Sequence, residues 1–190
     1  MLMRKPGWRE LDLLATIPIF VAGSALHFAY GWLGQWLPAA LFAAVNESVW
    51  EHLKIAFWPA LLWAVIQVRL GRPPEDGYWA ARSFGLFAMS VLIIIVFYSY
   101  TAILGENLLL LDIATFAIAI LVGQTVSNLA LRAVGRRKVL PMVGMTMLLL
   151  QLAAFAAFTF APPHLMLFQD GRNGLYGVSA YGDSDQHQPK

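Results

Sequence analysis

The chain has 190 residues, of which 59% are hydrophobic and 13% charged, with a mean hydropathy of +0.63. Soluble domains carry about 25% charged residues, and a globule of roughly 150 residues hides only about 70% of its chain surface. The composition therefore excludes an ordinary soluble enzyme, a nucleic-acid-binding domain and a disordered chain, and it points to a protein dissolved in a bilayer. The formal charge of +2 implies no nucleic-acid partner. With no cysteine, disulfides, thiolate metal sites and Cys nucleophiles are excluded, so any metal needs His, Asp, Glu or carbonyl ligands.

Five apolar stretches are long enough to cross about 30 Å of hydrocarbon, near residues 11–31, 53–70, 79–104, 107–131 and 139–161. Helices are required, because hydrocarbon offers no water to an open backbone. The first stretch follows a basic start (Arg4, Lys5, Arg9) but has Glu10 and Asp12 in that flank and a long apolar run. It reads as a retained anchor rather than a cleaved signal. Between the first two spans, residues 32–52 hold Trp residues and an apolar run, Leu37 to Val45, too short to cross. An interfacial or re-entrant helix is expected there. The expected fold is all-α: a polytopic membrane bundle of five transmembrane helices plus that extra helix, over residues 1–161.

Residues 162–190 form an expected extracytoplasmic tail. Its Asp170-Gly171 and Asn173-Gly174 pairs are turn signals that allow a short hairpin, while 183–190 are polar and expected to lack fixed structure. Orientation follows from the positive residues. With five crossings, ten of the 13 Lys and Arg fall on one side: Arg4, Lys5, Arg9, Arg69, Arg72, Arg82, Arg132, Arg136, Arg137 and Lys138. Lys54, Arg172 and Lys190 fall on the other. The expected location is the cytoplasmic (inner) membrane of a bacterium, N-terminus cytoplasmic and C-terminus outside.

That topology gathers acids and histidines at the outer leaflet. His27 is near the end of span 1. Asn46, Glu47, Glu51 and His52 open span 2, Tyr98 and Tyr100 close span 3, and Glu106, Asn107 and Asp112 open span 4. His164 and Asp170 follow span 5. Ionisable groups at membrane depth are costly, so each is paired, protonated or turned to a wet cavity. Read as helix, 46–54 puts Glu47, Glu51 and Lys54 on one face and Ser48 and His52 on the next. Adjacent Glu51 and His52 then diverge by about 100°, which makes them poor ligands of one ion, and Glu51 with Lys54 reads equally well as an i,i+3 ion pair.

Asp112 and Glu51 are the candidate catalytic or proton-carrying groups. The candidate ligands of a divalent ion are His27, Glu47, Glu51, His52, Asp112 and His164. Asn46, Tyr98, Tyr100, Glu106 and Asp170 complete the polar set. Blander readings stand beside these: an interfacial hydrogen bond for His27, a solvated loop for His164, helix-dipole complementation for Glu106, and a carboxyl bonded to Tyr98, Tyr100 or Thr115 for Asp112.

The blocks VNESVWEHLKIAFW at Val45–Trp58, FYSYTAILGENLLLLD at Phe97–Asp112 and PPHLMLFQDGRNGLYGV at Pro162–Val178 resemble an uncharacterised family of bacterial multi-pass membrane proteins. The resemblance implies fold and location but no activity. The chain also shares with seven-span metal-dependent membrane hydrolases a gathering of His and Asp at one leaflet, without their seven spans or paired histidines. Three functions are expected in order. The first is an integral membrane protein whose outer polar site binds a metal ion, lipid headgroup, small molecule or membrane-protein partner. The second is a metal-dependent hydrolase of a lipid amide or ester, and the third a small proton- or cation-coupled transporter.

Overall fold

The computed structural model describes residues 7–70, 77–134 and 139–179. The expectations for residues 183–190 and for Arg4, Lys5, Arg72, Arg136, Arg137, Lys138 and Lys190 lie outside the described residues. Six α-helices follow in order: α1 Trp8–Leu14, α2 Thr16–Trp32, α3 Val49–Arg69, α4 Tyr78–Leu104, α5 Leu109–Val134 and α6 Val139–Phe160. With α1 and α2 counted as one stretch, five helices among the described residues are long and apolar enough to cross a membrane. At 1.5 Å per residue the 27 residues of α4 reach about 40 Å.

Prolines explain two local features. The break between α1 and α2 falls at Ala15, directly after the carbonyl of Leu14, which would need an N–H from residue 18. That residue is Pro18, which has none and whose ring crowds the same carbonyl. Pro59, inside α3, withholds a donor from the carbonyl of Ile55 in the same way. The bundle uses that spot for close packing: a Cβ on Gly23 of α2 would lie 2.6 Å from the Ile55 oxygen. Gly85 of α4 and Gly123 of α5 meet similarly, since a Cβ on Gly85 would collide with the Gly123 carbonyl and Ser127. Small residues at such crossings let backbones approach where no hydrophobic effect drives helices together.

The core between α2, α3, α4, α5 and α6 is built from Ile19, Leu53, Phe57, Leu86, Met89, Ile120 and Phe155. At one end of the bundle a polar network is sealed inside. Asp12 is fully buried and Arg82 is 4% exposed. Arg82 Nη2 donates to both carboxylate oxygens of Asp12 at 2.7 and 2.8 Å and to Gln67 Oε1 at 2.5 Å, while Nη1 donates to Gln124 Oε1 at 3.1 Å. Gln67 Nε2 and Trp63 Nε1 donate to Asp12 as well, at 2.6 and 3.1 Å. This network ties α1 to α3, α4 and α5. Arg82 is thus a bundle residue rather than a flank charge, as is the fully buried Lys54, and without these two the expected Lys and Arg asymmetry is nine to two.

The loop between α2 and α3 departs from expectation. In place of a helix over Leu37–Val45 there is one 3₁₀ helix, Leu37–Leu41, with Ala39, Ala40, Ala43, Ala44 and Val45 buried. The reason lies in where its carbonyls go: Ala40 O accepts from Lys54 Nζ at 2.7 Å and Leu41 O from Trp58 Nε1 at 2.8 Å. Side chains of α3 take the bonds that a longer helix would need, and small alanines let the loop press against the bundle. After α6 the tail forms a tight turn, with one isolated antiparallel bridge, Gln169 with Tyr176, and no strand among the described residues. Backbone bonds close this turn, Asp170 N to Leu175 O at 2.9 Å and Gly174 N to Asp170 O at 3.0 Å, and side chains add to them: Asp170 Oδ1 accepts from Arg172 N at 2.7 Å and Asn173 Oδ1 from Leu175 N at 2.9 Å.

Candidate metal centre

At the opposite end of the bundle from the Asp12–Arg82 network, α2, the 42–48 loop and α3 bring three side chains together. Ser48, not residue 46, caps α3: its hydroxyl accepts from Glu51 N at 3.4 Å, and Asn46 Oδ1 accepts from Ser48 N at 2.9 Å. Glu47 therefore precedes the helix. The shared face with Glu51 and Lys54, which assumed a helix from residue 46, is corrected by that cap. Freed from the helix, Glu47 turns back between His27 of α2 and His52 of the first turn of α3.

One ligand atom from each of His27, Glu47 and His52 lies within 4.8 Å of the others. His27 Nε2 is 3.6 Å from Glu47 Oε1, and His52 Nε2 is 3.7 Å from Oε2. The imidazole rings are 5.2 Å apart. His52 Nδ1 is 2.8 Å from the carbonyl of Ser48, and a carbonyl can only accept. That contact places a hydrogen on Nδ1 and leaves Nε2 as the nitrogen that faces the carboxylate. A backbone carbonyl that holds the far ring nitrogen in this way would orient His52 toward an ion at Nε2. The Nδ1 of His27 is buried without a hydrogen-bond partner.

The carboxylate itself is held from behind. Glu47 N donates to Asp170 Oδ2 at 3.0 Å, and Arg172 Nη2 lies 2.9 Å from Glu47 Oε1. Asp170, buried, thus joins the backbone of Glu47 to that of Arg172 through its two oxygens. Asn46 Nδ2 donates to Gly177 O at 3.0 Å and adds a second tie between loop and tail.

The remaining candidates have other partners. Glu51 Oε2 pairs with Lys54 Nζ at 2.6 Å and accepts from Val45 N at 3.0 Å. Lys54, fully buried, also donates to Thr159 Oγ1 of α6 at 2.9 Å. Asp112 accepts from the Tyr100 hydroxyl, with Asn107 Nδ2 3.5 Å from its other oxygen. Tyr98 packs against the apolar core, Glu106 is exposed, and exposed His164 stacks on Tyr176 at 4.5 Å. Arg172 was not among the residues singled out from the sequence. Its signal was its place as one of few basic residues on the acid-rich side.

A membrane bundle with two imidazoles and one carboxylate converging at one end defines the class: a multi-pass membrane protein with a histidine–glutamate cluster that could hold a metal. The family model DUF6512, a family of unknown function, matches residues 3–178, and the chain belongs to that family. No curated protein and no solved structure matches it.

Proposed function

We propose that the protein binds a divalent transition metal, zinc by preference, through His27, Glu47 and His52 at the outer surface of the cytoplasmic membrane. The observation that carries this reading is the spacing and orientation of the three groups. A histidine–carboxylate hydrogen bond would sit near 2.7–2.9 Å, and the gaps here are 3.6 and 3.7 Å. Ligands at ~2.0–2.1 Å from a tetrahedral ion stand roughly 3.3–3.4 Å apart; the three ligand atoms here lie within 4.8 Å of one another, so closing by up to about 1.5 Å seats an ion among them. Imidazole favours zinc and its neighbours over magnesium or calcium, which take oxygen sets. The Lys and Arg asymmetry supports the outer location.

Two histidines and a glutamate leave one tetrahedral position open, as in hydrolytic zinc sites. A metal-dependent hydrolase of a lipid amide or ester is therefore the second reading. Metal analysis of the detergent-purified full chain tests the first. Near-stoichiometric zinc, lost in Glu47→Gln and in His52→Ala with expression unchanged, is the expected result. Wild-type protein that takes up no zinc after dialysis against the metal would end this reading.

A further inference from the structure

We propose that Arg172 and the open side of the His27–Glu47–His52 site together hold the phosphate monoester head of a membrane lipid. The inference rests on the metal reading and gives that site its ligand.

Charge is the first argument. The two imidazoles are neutral as ligands, and Glu47 is the one carboxylate in the cluster. Asp170, which accepts from the backbone N–H groups of Glu47 and Arg172, adds one further negative charge. With a divalent ion in place, Arg172 leaves the site with an excess of positive charge that only an anion relieves. A phosphate monoester carries about −1.5 to −2 charges and three acceptor oxygens at neutral pH. One oxygen suits an open metal position and the others a guanidinium fork.

Access is the second argument. The Arg172 side chain is 67% exposed, whereas Glu47 is 27% exposed. The guanidinium is thus anchored to the carboxylate by one nitrogen and open on its outer side, where an anion would arrive. A guanidinium has five N–H donors, so Glu47 and an oxyanion can be held together.

The third argument separates a lipid from soluble phosphate. A run of ring contacts leads from the site along α2: His52 to His27 at 5.2 Å, His27 to Phe28 at 4.7 Å, and Phe28 to Trp32 at 5.8 Å, stacked. Phe28 is 55% and Trp32 70% exposed, with Trp36 at 61% beyond them. Tryptophans of this kind sit at headgroup level. A ligand with its anion at Arg172 and its hydrocarbon beside Phe28 meets both chemistries, whereas free phosphate meets one.

The test uses the full chain in dodecyl maltoside, loaded with Co²⁺ so that ligand exchange is read in the visible d–d bands. Dihexanoyl phosphatidic acid, dihexanoyl phosphatidylcholine and inorganic phosphate are titrated separately. The expected result is a spectral change with phosphatidic acid at concentrations at least tenfold below those needed for the other two. Arg172→Gln, assayed at saturating Co²⁺ because this side chain also contacts Glu47, should weaken phosphatidic acid about tenfold, the loss of one charge-assisted hydrogen bond. A normal Co²⁺ spectrum that phosphatidic acid leaves unchanged, or an Arg172→Gln protein with undiminished affinity, overturns the proposal and leaves the metal reading standing. Equal affinity for inorganic phosphate overturns the lipid assignment, and equal affinity for phosphatidylcholine overturns the monoester. Absence of any Co²⁺ spectrum removes both readings together.

Discussion

Replacing Arg82 by methionine keeps the length of the side chain and removes its charge. The carboxylate of Asp12, fully buried, then loses the guanidinium that donates to both its oxygens, Gln124 loses the guanidinium donor to its carbonyl oxygen, and that of Gln67 keeps only the Tyr78 hydroxyl of the two donors described for it. Gln67 Nε2 and Trp63 Nε1 still donate to Asp12, so the loss is not total. Breaking a buried pair by removing one partner costs about 3–5 kcal/mol. At roughly 2–4 °C per kcal/mol for a chain of this size, the melting midpoint in detergent should fall by about 6–20 °C. Asp12→Leu with Arg82→Met leaves no orphan charge, so the double variant should be more stable than Arg82→Met alone, by the logic that makes ion pairs replaceable by apolar groups. Thermal unfolding followed by circular dichroism on the four proteins of this cycle reads both effects. An Arg82→Met midpoint within 2 °C of wild type, or a double variant that melts below both single ones, would refute the reasoning that this pair is a buried latch on α1.

Further outcomes are expected elsewhere in the chain. Asp170→Ala releases Glu47 and Arg172 from their shared anchor, and zinc affinity measured by chelator competition should fall about 10–100-fold, the usual effect of removing a supporting partner of a metal ligand. Zinc retention should also decline steadily as pH falls, because protons compete for the imidazole lone pairs; a flat profile down to mild acid would contradict histidine ligation. Asp112→Asn keeps an acceptor for the Tyr100 hydroxyl and should leave zinc content unchanged, so loss of metal in that variant would mean that Asp112 belongs to the centre. A reporter fused after Lys190 should be active only outside the cell, and cytoplasmic activity would reverse the orientation.

The long helices were legible from the sequence because twenty-residue apolar runs have few alternatives in structure, and each observed helix lies within a few residues of the stretch that announced it. The His27, Glu47 and His52 side chains were legible as types at one end of the bundle, but their grouping was not. It depends on whether α3 begins at residue 46 or at Val49, and one turn of backbone decides whether Glu47 shares a face with Glu51 or folds back to His52. The Asn46–Ser48 capping contacts that settle this are short-range and were open to reading. The Asp12–Arg82 pair was not, since it joins residues 70 positions apart that each look like an ordinary charge at a membrane edge. The 3₁₀ turn at Leu37–Leu41 was hidden for a related reason: the side chains that cut it short, Lys54 and Trp58, come from the next helix.

The placement of Glu51, Lys54 and Gln67 on α3 bears on how the chain enters the membrane. More than half of the residues in the apolar window of α3 are buried inside the protein, against less than a third in each other span. A helix that turns a glutamate, a lysine and a glutamine toward its neighbours meets lipid poorly when alone, because polar groups in contact with hydrocarbon oppose insertion. Its partners come from both directions along the chain: the Ala40 carbonyl and Val45 amide are synthesised before it, and Tyr78 and Arg82, which bond Gln67, and Thr159, which bonds Lys54, after it. A nascent chain released only as far as Arg69 would have three of those five partners missing. Stable residence of α3 in the bilayer therefore waits on α4 and α6, which makes the second crossing the last to become secure and the step at which a truncated or stalled chain would be exposed to quality-control proteases.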